Sequence, residues 1–530
     1  MRTIIKLILF LLLISPLSSQ YYIRDVYIDS QNVFDTTSSF NRFLNFFHAP
    51  TKKYIIDDEL LFYPDEDLDT FYVYETERNL RLMNLFTDVE ITYDTVGANL
   101  LDVIVTTRDR WSLTPAVLYG NEGGAQELGF LLSEANLLGH GYDVEFEALD
   151  RTENDIGLQG RFELFKRRFL RFDLDLYTTV ISNQFKTFQE FNLFRPYRDF
   201  YAPYSFGAFY TYEFGNDFIY SLENQSFNLL NIDERRASAY FSKSWVDIDR
   251  VFATIFLDVN QIDRGDPGLR RAFDNTGKFI VQFSSVSEAF ERTNKLNLFK
   301  DEDLQTGGYG EAILGRTFPL TDEGDRVWYA GGRGERSYYD GKWYLYGQVA
   351  GGSGFIRNRA IYTYQEFTGL AFYRFSDSFL ASAKITQQTS WNWPADRQLV
   401  LDPTTGLRGF NVNSFAGDNR IIGNFELRGF PEWRLWVLDF SGTAFFDIGT
   451  VWDQDTGFEN TKWRKSVGLG FRIHNAITTG ENSIFRFDFA WNLEENRFGG
   501  IIFTTDHLFY VFRRHQYRIP DFFGLDFDDE

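Results

Sequence analysis

The sequence predicts a mainly β protein: a transmembrane antiparallel β-barrel of about 16 strands, preceded by one small α+β domain. Three observations predict it. Apolar and charged residues alternate at period two, segment after segment, over roughly four hundred residues. The apolar faces are heavily aromatic, as where Tyr, Trp and Phe form belts at the bilayer surfaces. No run after residue 20 approaches the about 20 apolar residues that a transmembrane helix needs.

Composition supports this. The 530 residues include 58 Phe, 29 Tyr and 11 Trp, so 18% are aromatic, yet the mean hydropathy is only -0.30. That is neither a bundle of greasy helices nor a disordered chain. The absence of cysteine excludes disulfide scaffolds, thiolate metal sites and cysteine nucleophiles. Lys+Arg 53 against Asp+Glu 75 leaves a net charge of -22, which argues against a nucleic-acid partner held through phosphate contacts.

Residues 1–20 read as a secretory signal peptide. Arg2 and Lys6 flank or enter an apolar run from Ile4 to Ile14 that is too short to span a bilayer, and Ser15-Pro16-Leu17-Ser18-Ser19-Gln20 follows. Cleavage is expected near Ser19 or Gln20, with a retained anchor as the alternative. The mature chain is therefore expected to leave the cytoplasm.

Residues 21–110 form the small domain. Tyr22 to Ile28 is a strand, Phe40 to Phe47 a short aromatic-rich helix, and Asp69 caps a helix through Phe86 with Leu82, Leu85 and Phe86 on its buried side. Val89, Ile91 and Tyr93 form a strand, Val96 to Asn99 a turn, and Leu101, Val103 and Val105 another strand. The order is βααββ.

The barrel is expected over residues 111–512, with a tail at 513–530. Val144, Phe146 and Ala148 alternate with Asp143, Glu145 and Glu147; Leu158, Gly160, Phe162 and Leu164 alternate with Gln159, Arg161 and Glu163. Leu170, Phe172, Leu174 and Leu176 alternate with Arg171, Asp173 and Asp175, and Phe485, Phe487, Phe489 and Trp491 with Arg486, Asp488 and Ala490. Each segment has one apolar and one polar face. A large soluble β protein would show the same alternation, but closed barrels alone let strands satisfy their backbone groups in lipid. Loops are expected at 182–203, 216–235, 262–277, 318–326 and 390–420. The first strand, about Ser112–Tyr119, should meet the last, about Ile501–Phe512.

Four motifs resemble the BamA-like superfamily of outer-membrane proteins. Glu75-Thr-Glu77-Arg78-Asn-Leu80-Arg81 with Leu85-Phe86-Thr-Asp88-Val89 looks like the second helix and central strand of a POTRA domain. Thr107-Arg108-Asp109-Arg110-Trp111-Ser112-Leu113 resembles the junction into the first barrel strand, and Glu134-Ala-Asn136-Leu137-Leu138-Gly139-His140-Gly141 the turn between the second and third. Gly406-Leu407-Arg408-Gly409-Phe410, with Phe445-Phe446-Asp447-Ile448-Gly449, is similar to the inward-folded loop and the strand that receives its arginine. The resemblance implies a periplasmic POTRA-like domain of the bacterial surface antigen type and a barrel in the outer membrane of a Gram-negative (diderm) bacterium. Two departures stand out: only one POTRA-like unit fits, and an Arg-rich then acidic tail follows Leu508-Phe-Tyr510-Val-Phe512.

From the residues alone, Asn424, Glu426 and Arg428 should face the lumen and Phe425 and Leu427 the lipid, while Asp447 faces the lumen between Phe446 and Ile448. Arg408, in a Gly- and Asn-containing loop, could fold back to meet such a carboxylate, or all three could be ordinary hydrated charges. Leu407, Arg408, Gly409, Phe410, Glu426, Asp447 and Gly449 are the candidate site residues. Enzyme readings find no support. The histidines (His48, His140, His474, His507, His515) are scattered, and Gly351-Gly352-Ser353-Gly354 lacks nucleophile-elbow spacing and reads as a turn. Catalytic residues, metal and cofactor are expected to be none.

The resemblance implies insertion or assembly of outer-membrane proteins, or polypeptide translocation across the outer membrane. Outer-membrane lipids, unfolded polypeptide clients and periplasmic or lipoprotein accessory subunits are the implied partners. The alternatives are a structural barrel anchoring a larger complex, or a diffusion pore.

Overall fold

The computed structural model describes residues 21–34, 39, 42, 45, 48–122, 125–152, 155–221, 226–246, 249–265, 273–296, 301–321, 326–393, 399–412, 414–435, 438–454, 457–475, 484–504 and 518–524. The expected signal peptide, most of Phe40–Phe47, and the stretch Leu508–Phe512 with His507 and His515 lie outside the described residues. The chain divides into two compact units: one extends to Ser112 and takes in Asn136–Gly141, and the other comprises Leu113–Ala135 and everything from Tyr142 onward.

In the small unit, β1 (Tyr22–Gln31), β2 (Phe86–Gly97) and β3 (Leu100–Asp109) form a sheet in the order β1-β3-β2, with α1 (Lys53–Asp57) and α2 (Thr70–Leu82) between the first two strands in sequence. The central strand runs parallel to β1 and antiparallel to β2. Leu101, Val103 and Val105 are buried, with Ile23, Ile56 and Leu80 among the fully enclosed side chains. Asp102, between them, is also buried, and the guanidinium of Arg24 donates to it (Nε–Oδ1 2.8 Å).

Asp69 caps α2, its carboxylate accepting from the Phe71 amide at 2.8 Å. The helix ends at Leu82, short of the expected Phe86, because Asn84 takes a left-handed conformation (φ 56°) and turns the chain. Leu85 and Phe86 are buried from that turn and the next strand. Helix α1 escaped sequence reading because five residues with two buried isoleucines are too short to show a period. Asn136 bridges within the same unit, donating to Thr51 Oγ1 and accepting from the Gly141 amide, both at 2.8 Å.

The large unit is a closed antiparallel barrel. Its first six strands are short: β4 (Leu113–Glu122), β5 (Ala125–Glu134), β6 (Tyr142–Arg151), β7 (Gly157–Lys166), β8 (Asp175–Ser182) and β9 (Lys186–Arg195). The middle wall is taller: β10 (Tyr204–Ser221), β11 (Ser226–Val246), β12 (Arg250–Arg264), β13 (Thr276–Asn294), β14 (Asp301–Pro319), β15 (Trp328–Tyr339), β16 (Trp343–Ile356), β17 (Arg359–Ser376) and β18 (Phe379–Trp391). A small hairpin, β19 (Leu399–Leu401) with β20 (Phe415–Gly417), interrupts the ring order. The wall then resumes with β21 (Asn419–Gly429), a two-residue piece β22 (Arg434–Leu435), β23 (Leu438–Trp452), β24 (Arg464–Asn475), β25 (Ile484–Asn492) and β26 (Arg497–Thr504), which lies beside β4. The rings of Tyr119 and Phe503 approach to 6.3 Å there.

Alternation follows the pleat. Val117, Leu128, Phe146, Leu158, Leu314 and Leu469 are exposed outside, each more than half accessible. Their neighbours face the lumen in ion pairs, such as Arg161 with Glu145 and Glu147. An outer surface of exposed apolar side chains on a closed ring suits hydrocarbon.

Among the described residues the barrel has twenty strands of eight residues or more, not about 16. The undercount has a physical cause. Along the tall wall the lumen face also carries large aromatic residues, among them Phe209, Tyr240, Tyr309, Tyr329, Tyr344 and Phe372, so apolar residues fall on both sides and alternation fades. The stretch 182–203, expected as a loop, contains β9, where Phe188 and Phe194 lie in register with inward Glu213 and Gly207. The stretch 216–235 likewise holds the paired ends of β10 and β11.

Two further expectations fail. Leu170 and Phe172 do not belong to a strand: Phe169–Arg171 is a tight turn with Arg168, Leu170 and Arg171 at positive φ, and β8 begins only at Asp175. Paired charges hold that turn, with Arg195 on Asp173 at 2.6 Å and Arg198 on Asp175 at 2.7 Å. Gly351 to Gly354 is not a turn but part of β16; a Cβ on Gly352 would sit 2.3 Å from the Tyr329 hydroxyl. A closed barrel resists detergent, so the protein is expected to migrate faster unheated than boiled on a detergent gel. Identical mobility would contradict closure.

Candidate functional site

The chain between β18 and β21 folds inward. Asp402 organises it: its carboxylate accepts from Thr404 Oγ1 (2.6 Å) and the Thr405 amide (3.2 Å), and its carbonyl accepts from the Leu407 amide (2.8 Å). Gly406 (φ 109°) and Gly409 (φ 86°) bracket Arg408 with conformations that side-chain-bearing residues avoid. Leu407 and Phe410 are buried against Leu401 and Ile422, which fixes the direction in which Arg408 leaves the loop.

Arg408 points to the lumen face of the wall. Its Nε and Nη2 donate to the two oxygens of Asp447 at 2.7 and 2.8 Å, a bidentate fork. Its Nη1 donates to Glu426 Oε1 at 2.9 Å and to Asp488 Oδ2 at 2.8 Å. The guanidinium carbon lies 3.5 Å from the centre of the Phe445 ring. Arg408 is 1% exposed, and Glu426, Asp447 and Asp488 are buried.

Asn424 joins loop to wall, its amide donating to the Gly406 carbonyl (2.7 Å) and to Asp447 Oδ1 (2.8 Å). Arg428 pairs with Glu426 at 2.9 Å, while Arg472 and Arg486 pair with Asp488 at 2.5 and 2.7 Å. Four guanidiniums thus face three carboxylates from the loop and from β21, β23, β24 and β25. Together these pairs clamp the loop to the wall. Among the described residues, no group of three or more His, Cys, Asp or Glu could hold a metal ion.

The structure brings Arg408, Glu426 and Asp447 to one point. Leu407 and Phe410 anchor the loop, Gly409 turns it, and Gly449 lies beneath the small hairpin, where a Cβ would meet Leu401 at 2.9 Å. Sequence reasoning missed Asp488 as a partner. The available signal was Arg486-x-Asp488 on one face of a strand otherwise lined by Phe and Trp. Of the histidines described, His48 contacts Asp109 (2.9 Å), His140 contacts Tyr54 (2.9 Å) and His474 contacts Ser441 (2.7 Å).

The loop also leans on the last described strand. A Cβ on Gly499 of β26 would lie 2.4 Å from the Gly409 carbonyl oxygen, a backbone atom that cannot rotate away. Gly499→Ala is therefore expected to cost about 1–3 kcal/mol through overpacking, read as a lower denaturation midpoint. An unchanged midpoint would place the loop elsewhere.

No family model matches the sequence, and no curated protein matches it. Among solved structures, the chain is similar to BamA from Haemophilus ducreyi lacking POTRA domains 1–3 (12% identity, 91% of this chain and 83% of that one, TM-score 0.41). It is similar also to CdiB from Acinetobacter baumannii (12% identity, 90% and 71%, TM-score 0.43) and CdiB from Escherichia coli (10% identity, 89% and 72%, TM-score 0.45).

Proposed function

We propose that this protein is an outer-membrane barrel that inserts, assembles or translocates polypeptide clients, with residues 21–110 acting as a POTRA-like periplasmic domain. The observation that carries the reading is the inward loop held by Arg408 on Asp447, Glu426 and Asp488. A diffusion pore is served by an open lumen, whereas this loop occupies it. A loop that grips β21, β23 and β25 and presses on β26 holds the wall next to the first-to-last strand junction, where a client strand would pair. In the small sheet, β1 and β2 are both edges and can accept an extended segment through main-chain hydrogen bonds. Outer-membrane lipids cover the apolar exterior, and the proposed role requires no cofactor.

The second reading is a structural barrel that anchors a larger complex. It draws support from the ion-paired cluster around Arg408, which ties the loop to the wall as a brace would. Depletion followed by quantitative profiling of the outer-membrane proteome separates them. Broad loss of barrels indicates assembly, loss of one or two exported proteins indicates dedicated transport, and no change indicates the structural role.

A further inference from the structure

Residues 518–524 lie against the lumen face of the tall wall without pairing as a strand. They touch the side on which Ile280, Gly315 and Tyr329 stand in register and Gly331 pairs with Ile313, opposite the outward Phe279, Leu314 and Trp328. Asp521 accepts from Lys278 Nζ at 2.8 Å and from Arg236 Nη2 at 2.8 Å. Phe522 stacks on Tyr329 with centroids 4.1 Å apart, and the Phe523 amide donates to the Tyr329 hydroxyl at 3.0 Å. Both rings are almost wholly buried.

The wall is shaped for these groups. Gly315 and Gly331 leave the space the two rings fill: a Cβ there would stand 2.4 Å from Phe522 and 2.7 Å from Phe523. Lys278 and Arg236 share one wall carboxylate, Asp258, at 3.3 and 2.6 Å, so two cations face a single fixed anion and a second carboxylate balances them. A cavity of about 460 Å³ lies alongside, between the tail and Arg333, Ala350 and Tyr364. The ring of strands is complete without the tail, which side chains hold as they would a docked peptide.

We propose that the lumen face of β11 to β15 is a peptide-binding site for a carboxylate followed by two aromatic residues, occupied in the resting protein by the chain's own Asp521-Phe522-Phe523. The tail is a displaceable occupant. This holds whether the barrel assembles clients or anchors a complex. Rings buried in fitted pockets dominate such contacts, and the paired carboxylate sets their register.

The test uses the full chain carrying Asp521→Asn, Phe522→Ala and Phe523→Ala, which empties the site, and a fluorescent peptide with the sequence of residues 518–524. The peptide should bind this variant more tightly than the wild type, where the tethered tail competes for the site. A peptide with alanine at both aromatic positions should bind at least about thirtyfold more weakly, and Lys278→Gln in the variant should weaken the intact peptide as well. Equal binding of both peptides, equal binding to wild type and variant, or no binding to a variant that remains heat-modifiable would overturn the proposal. If the triple variant does not insert, Gly315→Val in the otherwise wild-type chain fills the place of Phe522 and should open the bond after Arg518 to trypsin. Protection equal to that of the wild type would then refute the site.

Discussion

Arg408→Ala is expected to destabilise the clamped loop by about 3–5 kcal/mol, the scale for removing one partner of a buried ion pair. An exposed pair would be worth only about 0–1 kcal/mol. Burial decides between these: with Arg408 1% exposed, the substitution takes the guanidinium from Asp447 in a space closed to water, while Glu426 keeps Arg428 and Asp488 keeps Arg472 and Arg486. The loop should come away from the wall, client assembly should fall, and the barrel should still insert and remain heat-modifiable, because no strand pairing depends on Arg408. Arg408→Lys should restore only part of the activity. An ammonium keeps the charge but cannot make the two parallel bonds to Asp447. Loss of insertion in Arg408→Ala would make the clamp a folding element, and unchanged assembly would make it dispensable.

Asp488→Ala should cost at least as much, about 3–5 kcal/mol or more, because it removes the carboxylate shared by three guanidiniums. Asp488 lies 2.8 Å from Arg408, 2.5 Å from Arg472 and 2.7 Å from Arg486. Without it those three retain only Glu426 and Asp447 nearby, and Arg486 loses its paired carboxylate. The effect should therefore reach beyond the loop into β24 and β25 and lower the thermal midpoint of the barrel, where Arg408→Ala mainly frees the loop. Asp488→Asn, which keeps acceptor geometry but not charge, should fall between. A midpoint equal to the wild type in Asp488→Ala would show that the cluster is hydrated.

Sequence reading succeeded where one strand face was apolar and the other charged. Glu145 and Glu147 with Phe146, and Glu426 with Phe425 and Leu427, point as the alternation implies, because the outer face is apolar and the lumen face charged along these strands. It failed where the lumen itself is lined with rings. Tyr329, Tyr344 and Phe372 face inward, so apolar residues stand on both faces and the alternation fades, and β9 with the ends of β10 and β11 fell in stretches expected as loops. The glycines of β16 mislead for a related reason: Gly352 makes room for a ring across the sheet, which only the register reveals. Asp488 was visible as a lumen residue but not as a partner of Arg408, since the loop reaches it from 80 residues away in sequence. The buried tail carries no period at all, and its match to Lys278 and Arg236 exists only in three dimensions.

In the proposed role, one guanidinium, meeting Asp447 from the inward loop, couples that loop to the wall and thereby to client handling. A double-mutant cycle of Arg408→Ala and Asp447→Ala in a client-assembly assay tests it most directly, with heat-modifiability confirming insertion of each variant. Each single variant should lose most activity, and the double variant should be little worse than either, the mark of a shared interaction. Effects of the two substitutions that simply add, or a silent Arg408→Ala, would contradict the claim.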